Sequence, residues 1–178
     1  MSVLRASKRY RVGLISDTHG SLRPEALAAL AGSDFIVHAG DIGNASILER
    51  LSVIAPVTAV RGNNDHGGWA ERLPHTNRLD VGNVRILVIH ALAELDCDPL
   101  AEDIRVVVSG HSHRPCIEHR NGVLYVNPGS AGPRRFRLPI AIATLSIAGE
   151  RVDAEIVALD AKAAAPTRAS RTAEPRRL

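Results

Sequence analysis

The sequence predicts a mixed α/β domain of two packed sheets flanked by helices, and three observations carry that prediction. Short apolar runs alternate with helical stretches over the first sixty residues, giving a βαβαβ pattern. Two-residue turn signals at Gly82-Asn83, Asn121-Gly122 and Ala148-Gly149 then mark antiparallel hairpins. The strands so counted are too many for one sheet to hold comfortably, which favours two. A chain of 178 residues, 45% of them apolar, suits one domain with a real core.

The first strand is Tyr10–Ser16, apolar and bounded by polar residues. A helix is expected over about Arg23–Ala31, with Pro24 in its first turn and Gly32 beyond its end. Phe35–Ala39 forms the second strand. In Ala45–Ala55, Ile47, Leu48, Leu51 and Ile54 recur at helical spacing behind Asn44 as N-cap, and Pro56–Val60 is the third strand. Strands alternating with helices imply parallel pairing through right-handed crossovers. The hairpins that follow pair Arg78–Val81 with Val84–His90, Cys116–His119 with Val123–Val126, and Leu138–Ile147 with Arg151–Leu159. Between the first two lie a helix predicted at Leu92–Glu102 and a strand at Ile104–Ser109.

Charge is segregated toward the ends. Arg5, Lys8, Arg9 and Arg11 crowd the start and Lys162, Arg168, Arg171, Arg176 and Arg177 the finish, so a net charge of +3 conceals a mildly acidic middle. This division predicts a basic extension over 1–9, a folded domain over 10–160 and a disordered basic tail over 161–178, where no periodic apolar face exists. An acidic body with 3% aromatics is a poor nucleic-acid surface and has few platforms for stacking bases. No run is long and apolar enough for a membrane span, and the basic start lacks the apolar stretch of a signal peptide. Cys97 and Cys116 have no CxxC spacing and read as reduced thiols, so the expected compartment is the cytoplasm. Homo-oligomerisation is left open by the residues.

What ends each strand carries the chemistry. The first strand runs into Asp17-Thr18-His19, the second into Gly40-Asp41, the third into Gly62-Asn63-Asn64-Asp65. The fifth ends in His90, and Val106–Ser109 runs into Gly110-His111-Ser112-His113. Ligands of open α/β sheets bind at the carboxyl ends of strands, so Asp17, His19, Asp41, Asn63, His90, His111 and His113 would face one crevice. Carboxylates with imidazoles suit manganese, iron, zinc or nickel. Seven donors exceed one tetrahedral ion and match two ions about 3.5–4 Å apart, an arrangement used for phosphoryl displacement. Each element is weak alone, since a strand histidine is usually structural; the order and placement together are specific.

Asp17-x-His19, Gly40-Asp41, Gly62-Asn63-x-Asp65, His90 and Gly110-His111-x-His113, followed by Asn127-Pro128-Gly129-Ser130, resemble the motifs of the calcineurin-like metallophosphoesterases, and among them the small YfcE-like phosphodiesterases. The resemblance spans about Tyr10 to Leu159 and implies a four-layer αββα sandwich. By position, it implies that Asp17, His19 and His113 hold one divalent ion, likewise manganese by first choice, and that Asn63, His90 and His111 hold a second. Asp41 would bridge them, and a hydroxide shared by the ions would attack a small phosphodiester in line. Asp41, Asn63 and His90 are thus the expected catalytic positions.

The sequence departs from the pattern at Asn64, where the wider superfamily has a histidine that can protonate the leaving group, and at Ala91-Leu92, where the branch usually shows Gly-His. Asp65, without that histidine to orient, is expected to keep a backbone role. Asn64 and Arg134 are the candidate substrate contacts, Arg135 could bind a substrate phosphate as well, and a solvated basic loop is the competing reading of the two arginines. The resemblance places Asn127-Pro128-Gly129-Ser130 near the metals, so Asn127 or Ser130 is expected to buttress the His111 loop. His38 reads as a satisfied buried imidazole or a partner of the ligands, His66 is declined as a site residue although its Gly-rich loop could line the substrate opening, and His75 and His119 read as surface residues. Ser16, Ser109 and Ser112 lack a Ser-His-Asp set and are poor nucleophiles. The competing class is a scaffold acting through protein contacts, like the retromer subunit with this fold; loss of ligands would favour it, and none is lost.

Overall fold

The computed structural model describes residues 8–135 and 137–160. The basic tail predicted at 161–178 and most of the extension predicted at 1–9 lie outside them; Arg9 already belongs to the first strand.

Twelve elements follow in chain order: β1 (Arg9–Ile15), α1 (Pro24–Leu30), β2 (Phe35–His38), α2 (Ala45–Ser52), β3 (Val57–Ala59), β4 (Thr76–Val81), β5 (Val84–Ile89), β6 (Val106–Val108), β7 (Cys116–Arg120), β8 (Val123–Asn127), β9 (Ala141–Ala148) and β10 (Arg151–Ala158). They build two mixed five-stranded sheets, ordered β10-β9-β1-β2-β3 and β4-β5-β6-β8-β7. The parallel trio β1-β2-β3 and the three predicted hairpins are all present. The second sheet adds a feature the hairpin signals do not contain. Its central strands β5, β6 and β8 are parallel, so three more carboxyl ends point the same way.

Alternation along the strands explains the layering. In β1, Val12 and Leu14 face the second sheet, joining Ile86, Val88, Val106, Val108, Leu145 and Ile147 in the central core, while Ile15 turns to the helices. Both α1 and α2 lie on that outer side, burying Ala26, Leu30, Ile47 and Leu51 against Ile36 and Ile142. Each fully buried aliphatic side chain contributes roughly 1.5–3 kcal/mol. The Asn44 side chain does not cap α2; its Oδ1 accepts from Ser46 Oγ at 2.5 Å.

The helix predicted at Leu92–Glu102 does not form. A 3-10 turn at Leu92–Glu94 and a series of turns replace it over the outer face of the second sheet, with Leu92 and Leu95 packed on Leu87, Ile89 and Val107. Pro99 explains the failure: it has no N–H to donate and drives Asp98 away from helical geometry. Asp98 then accepts the Leu100 N–H on its side chain at 3.1 Å, the local turn bond that competes with a helix.

Candidate metal centre

The strand ends converge in one crevice between the two sheets, and the backbone there is unusual. Asp17, His19, Asp41, His111 and His113 all adopt left-handed φ, from 46° to 66°. Such residues cost about 1 kcal/mol or more each and persist only where the surroundings hold them. Here the surroundings do. Asp17 N–H donates to Gly40 O at 3.0 Å, His19 N–H to Asp41 O at 2.9 Å, and Gly110 N–H to His90 O at 3.0 Å. The left-handed residues follow β1, β2 and β6 and turn the chain where these strands end.

Around that point the donors follow one another closely. Nε2 of His113 is 3.1 Å from Asp17 Oδ1 and 3.4 Å from His19 Nε2. Asp41 stands between two histidines, with Oδ2 3.8 Å from His19 Nε2 and Oδ1 3.5 Å from His90 Nε2. Asn63 Oδ1 is 3.0 Å from both His90 Nε2 and His111 Nδ1. All seven residues predicted from the strand ends therefore meet. Two overlapping triads, Asp17-His19-His113 and Asp17-Asp41-His90, bring their ligand atoms within 4.8 Å of one another.

Outer contacts prepare these groups to accept a cation. His90 Nδ1 is 2.7 Å from Ala39 O, so it carries the proton and leaves the Nε2 lone pair facing Asp41 and Asn63. Burial alone would lower the His90 pKa, but the nearby Asp41 carboxylate and the Ala39 carbonyl more than offset it and raise it above its usual value. Burial would likewise raise the Asp41 carboxyl, yet His90 and Asn64 hold it far below the ordinary carboxylate range. Burial lowers His19, with Arg135 adding to that effect against the opposing charge of Asp41. Oδ2 of Asp17 is satisfied by Ser16 Oγ at 2.6 Å and by the His111 N–H at 3.1 Å. Its Oδ1 is buried without a hydrogen-bond partner, as is Nδ1 of His113. An anionic oxygen taken out of water with nothing to bond is the natural seat of a cation, and the surrounding donors suit a borderline divalent metal.

Two glycines make the approach achievable. A Cβ on Gly110 would stand 2.0 Å from Ser16 Oγ and 2.7 Å from Asp17 Oδ2. At Gly40, whose φ is +92°, it would stand 2.7 Å from His90 Nδ1.

The remaining predicted residues divide. Asn64 lies in the crevice, donating from N–H and Nδ2 to the two Asp41 oxygens at 2.8 and 2.7 Å. Arg134 does not: its guanidinium is paired with Asp160, and Arg135 is the cation that reaches the site, 3.5 Å from His19 Nε2. Asp65 is buried and clips two loops by accepting the N–H groups of Gly43 and Gly62 at 2.8 and 2.9 Å. Asn127 donates to Gly110 O and Ser112 Oγ, and so buttresses the His111 loop; Ser130 instead donates to Asp17 O. His38 is fully buried between Thr18 Oγ1 and the Gly40 N–H, and His66, His75 and His119 are exposed. Ser16, dismissed as a nucleophile, proves to orient Asp17; nothing in its spacing distinguishes it from any serine beside a carboxylate.

Strand ends that deliver carboxylates, imidazoles and a carboxamide to one crevice, Asp17 and Asp41 buried and Asn63 and His111 exposed, form a candidate centre for a divalent metal. Comparison with known proteins makes the class specific: residues 10–150 match the calcineurin-like phosphoesterase superfamily domain, and the chain belongs to that superfamily. It is 34% identical over 158 residues to a probable metallophosphoesterase of Methanothermobacter thermautotrophicus, covering 82% of this chain and 91% of that protein. Phosphodiesterase YfcE of Escherichia coli is 30% identical over 145 residues, 65% of this chain and 76% of its own. The fold is shared with Vacuolar Protein Sorting 29 of Cryptosporidium parvum, at a TM-score of 0.69 and 19% identity over 84% of this chain and 97% of that one. Among the described residues no helix is long and apolar enough to cross a membrane.

Proposed function

We propose that this chain is a phosphodiesterase dependent on two divalent ions, hydrolysing small phosphodiesters by in-line displacement. The observation that carries the reading is Asp17 Oδ1, buried and unpartnered with the Nε2 atoms of His113 and His19 at 3.1 and 3.9 Å. Asp17, His19 and His113 would hold one ion and Asn63, His90 and His111 the other, with Asp41 facing both. Divalent ions supply Lewis-acid charge at phosphoryl oxygens and acidify water at neutral pH, manganese being the first choice before zinc, iron and nickel.

The protein's own groups do the positioning. The Ala39 carbonyl fixes the His90 tautomer, while Ser16 and the His111 N–H hold one Asp17 oxygen so that the other stays free. Asn64 spends its donors on Asp41 and has no dissociable proton for a departing alkoxide, so esters of acidic alcohols are the favoured substrates. Arg135, 3.5 Å from His19 Nε2, suits a phosphoryl oxygen. YfcE, named a phosphodiesterase, supports diesters over monoesters. The free thiols Cys97 and Cys116 suit a cytoplasmic protein. A scaffold role has less support, because no donor of the set is missing.

The test is manganese-dependent hydrolysis of bis-p-nitrophenyl phosphate by the wild type beside Asp41→Asn. Turnover that needs the metal and disappears in the variant is expected. A wild type inert with manganese, zinc, nickel and iron alike would sink the enzyme reading.

A further inference from the structure

A cavity of about 700 Å³ opens beside His111, well within the size range of small-molecule sites. The 3-10 turn at Leu92–Glu94, which follows His90, forms part of its wall, and Leu92 also packs in the cluster with Leu87, Ile89 and Val107. Leu92, Pro115 and Cys116 line the cavity, and Tyr125 joins them from β8. The Gly110–Ser112 loop closes one end, so His111 belongs to both places, lining the cavity while its Nδ1 lies 3.0 Å from Asn63 Oδ1 in the crevice. The charged lining is balanced: Arg114 and Arg120 face Glu94 and Glu118, and Glu118 is paired with Arg120 at 2.6 Å. The Arg120 guanidinium also lies over the Tyr125 ring, 5.0 Å from its centroid.

We propose that this cavity receives the organic arm of the phosphodiester that stays on phosphorus, and that the arm is uncharged and ring-bearing. The inference rests on the phosphodiesterase reading. Continuity at His111 ties the cavity to the phosphoryl site, and its volume far exceeds what a methyl or glycerol arm fills. The balanced charge, with Arg120 already paired to Glu118, favours an uncharged arm over a nucleotide-like polyanionic one. Leu92, Pro115 and Tyr125 offer flat apolar contact of the kind that binds rings. Leu92 adds an aliphatic side chain to the wall.

Two esters with the same leaving group isolate the arm: phenyl p-nitrophenyl phosphate and methyl p-nitrophenyl phosphate, each assayed with manganese. The phenyl ester is expected to show at least a tenfold higher kcat/KM. Leu92→Asn, and Cys116→Trp, which fills the cavity from an exposed strand, should each reduce that ratio at least fivefold. A second readout needs no turnover: 19F line broadening of 4-fluorophenol by the protein in EDTA, diminished in Cys116→Trp. Hydrolysis of both esters with equal kcat/KM overturns the arm assignment alone. Absence of hydrolysis of either ester overturns the phosphodiesterase reading, and the fluorine signal then decides whether the cavity takes rings. No broadening refutes that as well.

Discussion

Oδ1 of Asp17 lies 3.1 Å from Nε2 of His113, fully buried, and makes no hydrogen bond with it or with anything else. Its partner oxygen Oδ2 is held by Ser16 and His111, so the carboxylate cannot rotate to relieve the bare one. A buried polar atom left unpaired costs about 1–3 kcal/mol, more when charged. A cation that binds the folded state alone recovers this and stabilises the protein. At a hundredfold excess over its Kd the gain is about 2.7 kcal/mol, which raises Tm by roughly 5–10 °C in a domain of this size. Differential scanning fluorimetry with manganese and with zinc measures it. Asp17→Asn should lose the rise, and an unchanged wild-type Tm would contradict a metal seat here.

Gly110→Ala should be destabilising by about 1–3 kcal/mol, the usual range for overpacking a tight site. The added methyl would sit on Ser16 Oγ and Asp17 Oδ2, both of which are fully buried residues held by short hydrogen bonds. Urea denaturation of the metal-free protein gives the stability change. A variant as stable as the wild type would mean that the Asp17 carboxylate moves freely, contrary to its two hydrogen bonds.

The donor set was legible because its signal is local: a strand periodicity that stops at Asp, His or Asn. The two sheets were legible for the same reason, each hairpin carrying its own turn. What escaped depends on distant contacts. No spacing reveals that β5, β6 and β8 run parallel, since β7 intervenes in the chain and adds itself at the edge. Arg134 and Arg135 are equivalent as letters; only the position of Asp160 shows which one is engaged elsewhere. Over Leu92–Glu102 the apolar residues Leu92, Leu95 and Leu100 suggest a helix, and Pro99 within the stretch overrides them. The 3-10 turn formed there instead lines the cavity beside His111.

Stability should fall as pH drops from 6.5 toward 4, and His38 should account for part of the fall. Burial lowers its pKa from 6.5 to about 4, and its ring is neutral between Thr18 and the Gly40 N–H. The unfolded chain takes up this proton first, so the contribution is complete above pH 6.5 and lost on descending to about 4. At 1.36 kcal/mol per pH unit that amounts to roughly 3 kcal/mol. Urea titrations in EDTA at pH 7 and pH 4.5, comparing wild type with His38→Gln, should show a shallower loss in the variant. Parallel losses would mean that the wild-type ring ionises freely in place.

Asn64 sets the last expectation, because its carboxamide donates to Asp41 where an acid would be needed to help an alkoxide leave. Without that proton the departing oxygen carries its full charge in the transition state, and rate should fall steeply as the leaving alcohol becomes less acidic. A series of aryl methyl phosphates spanning several units of phenol pKa gives the slope. Asn64→His places an imidazole at that position and should flatten the slope, raising kcat for the poorest leaving groups by roughly tenfold or more while changing p-nitrophenyl esters little. The pH profile separates this from a change in binding: the variant's gain should disappear above the imidazole's pKa, where no proton remains to donate. If the slope is already shallow in the wild type, another group supplies the proton and Asn64 only holds Asp41.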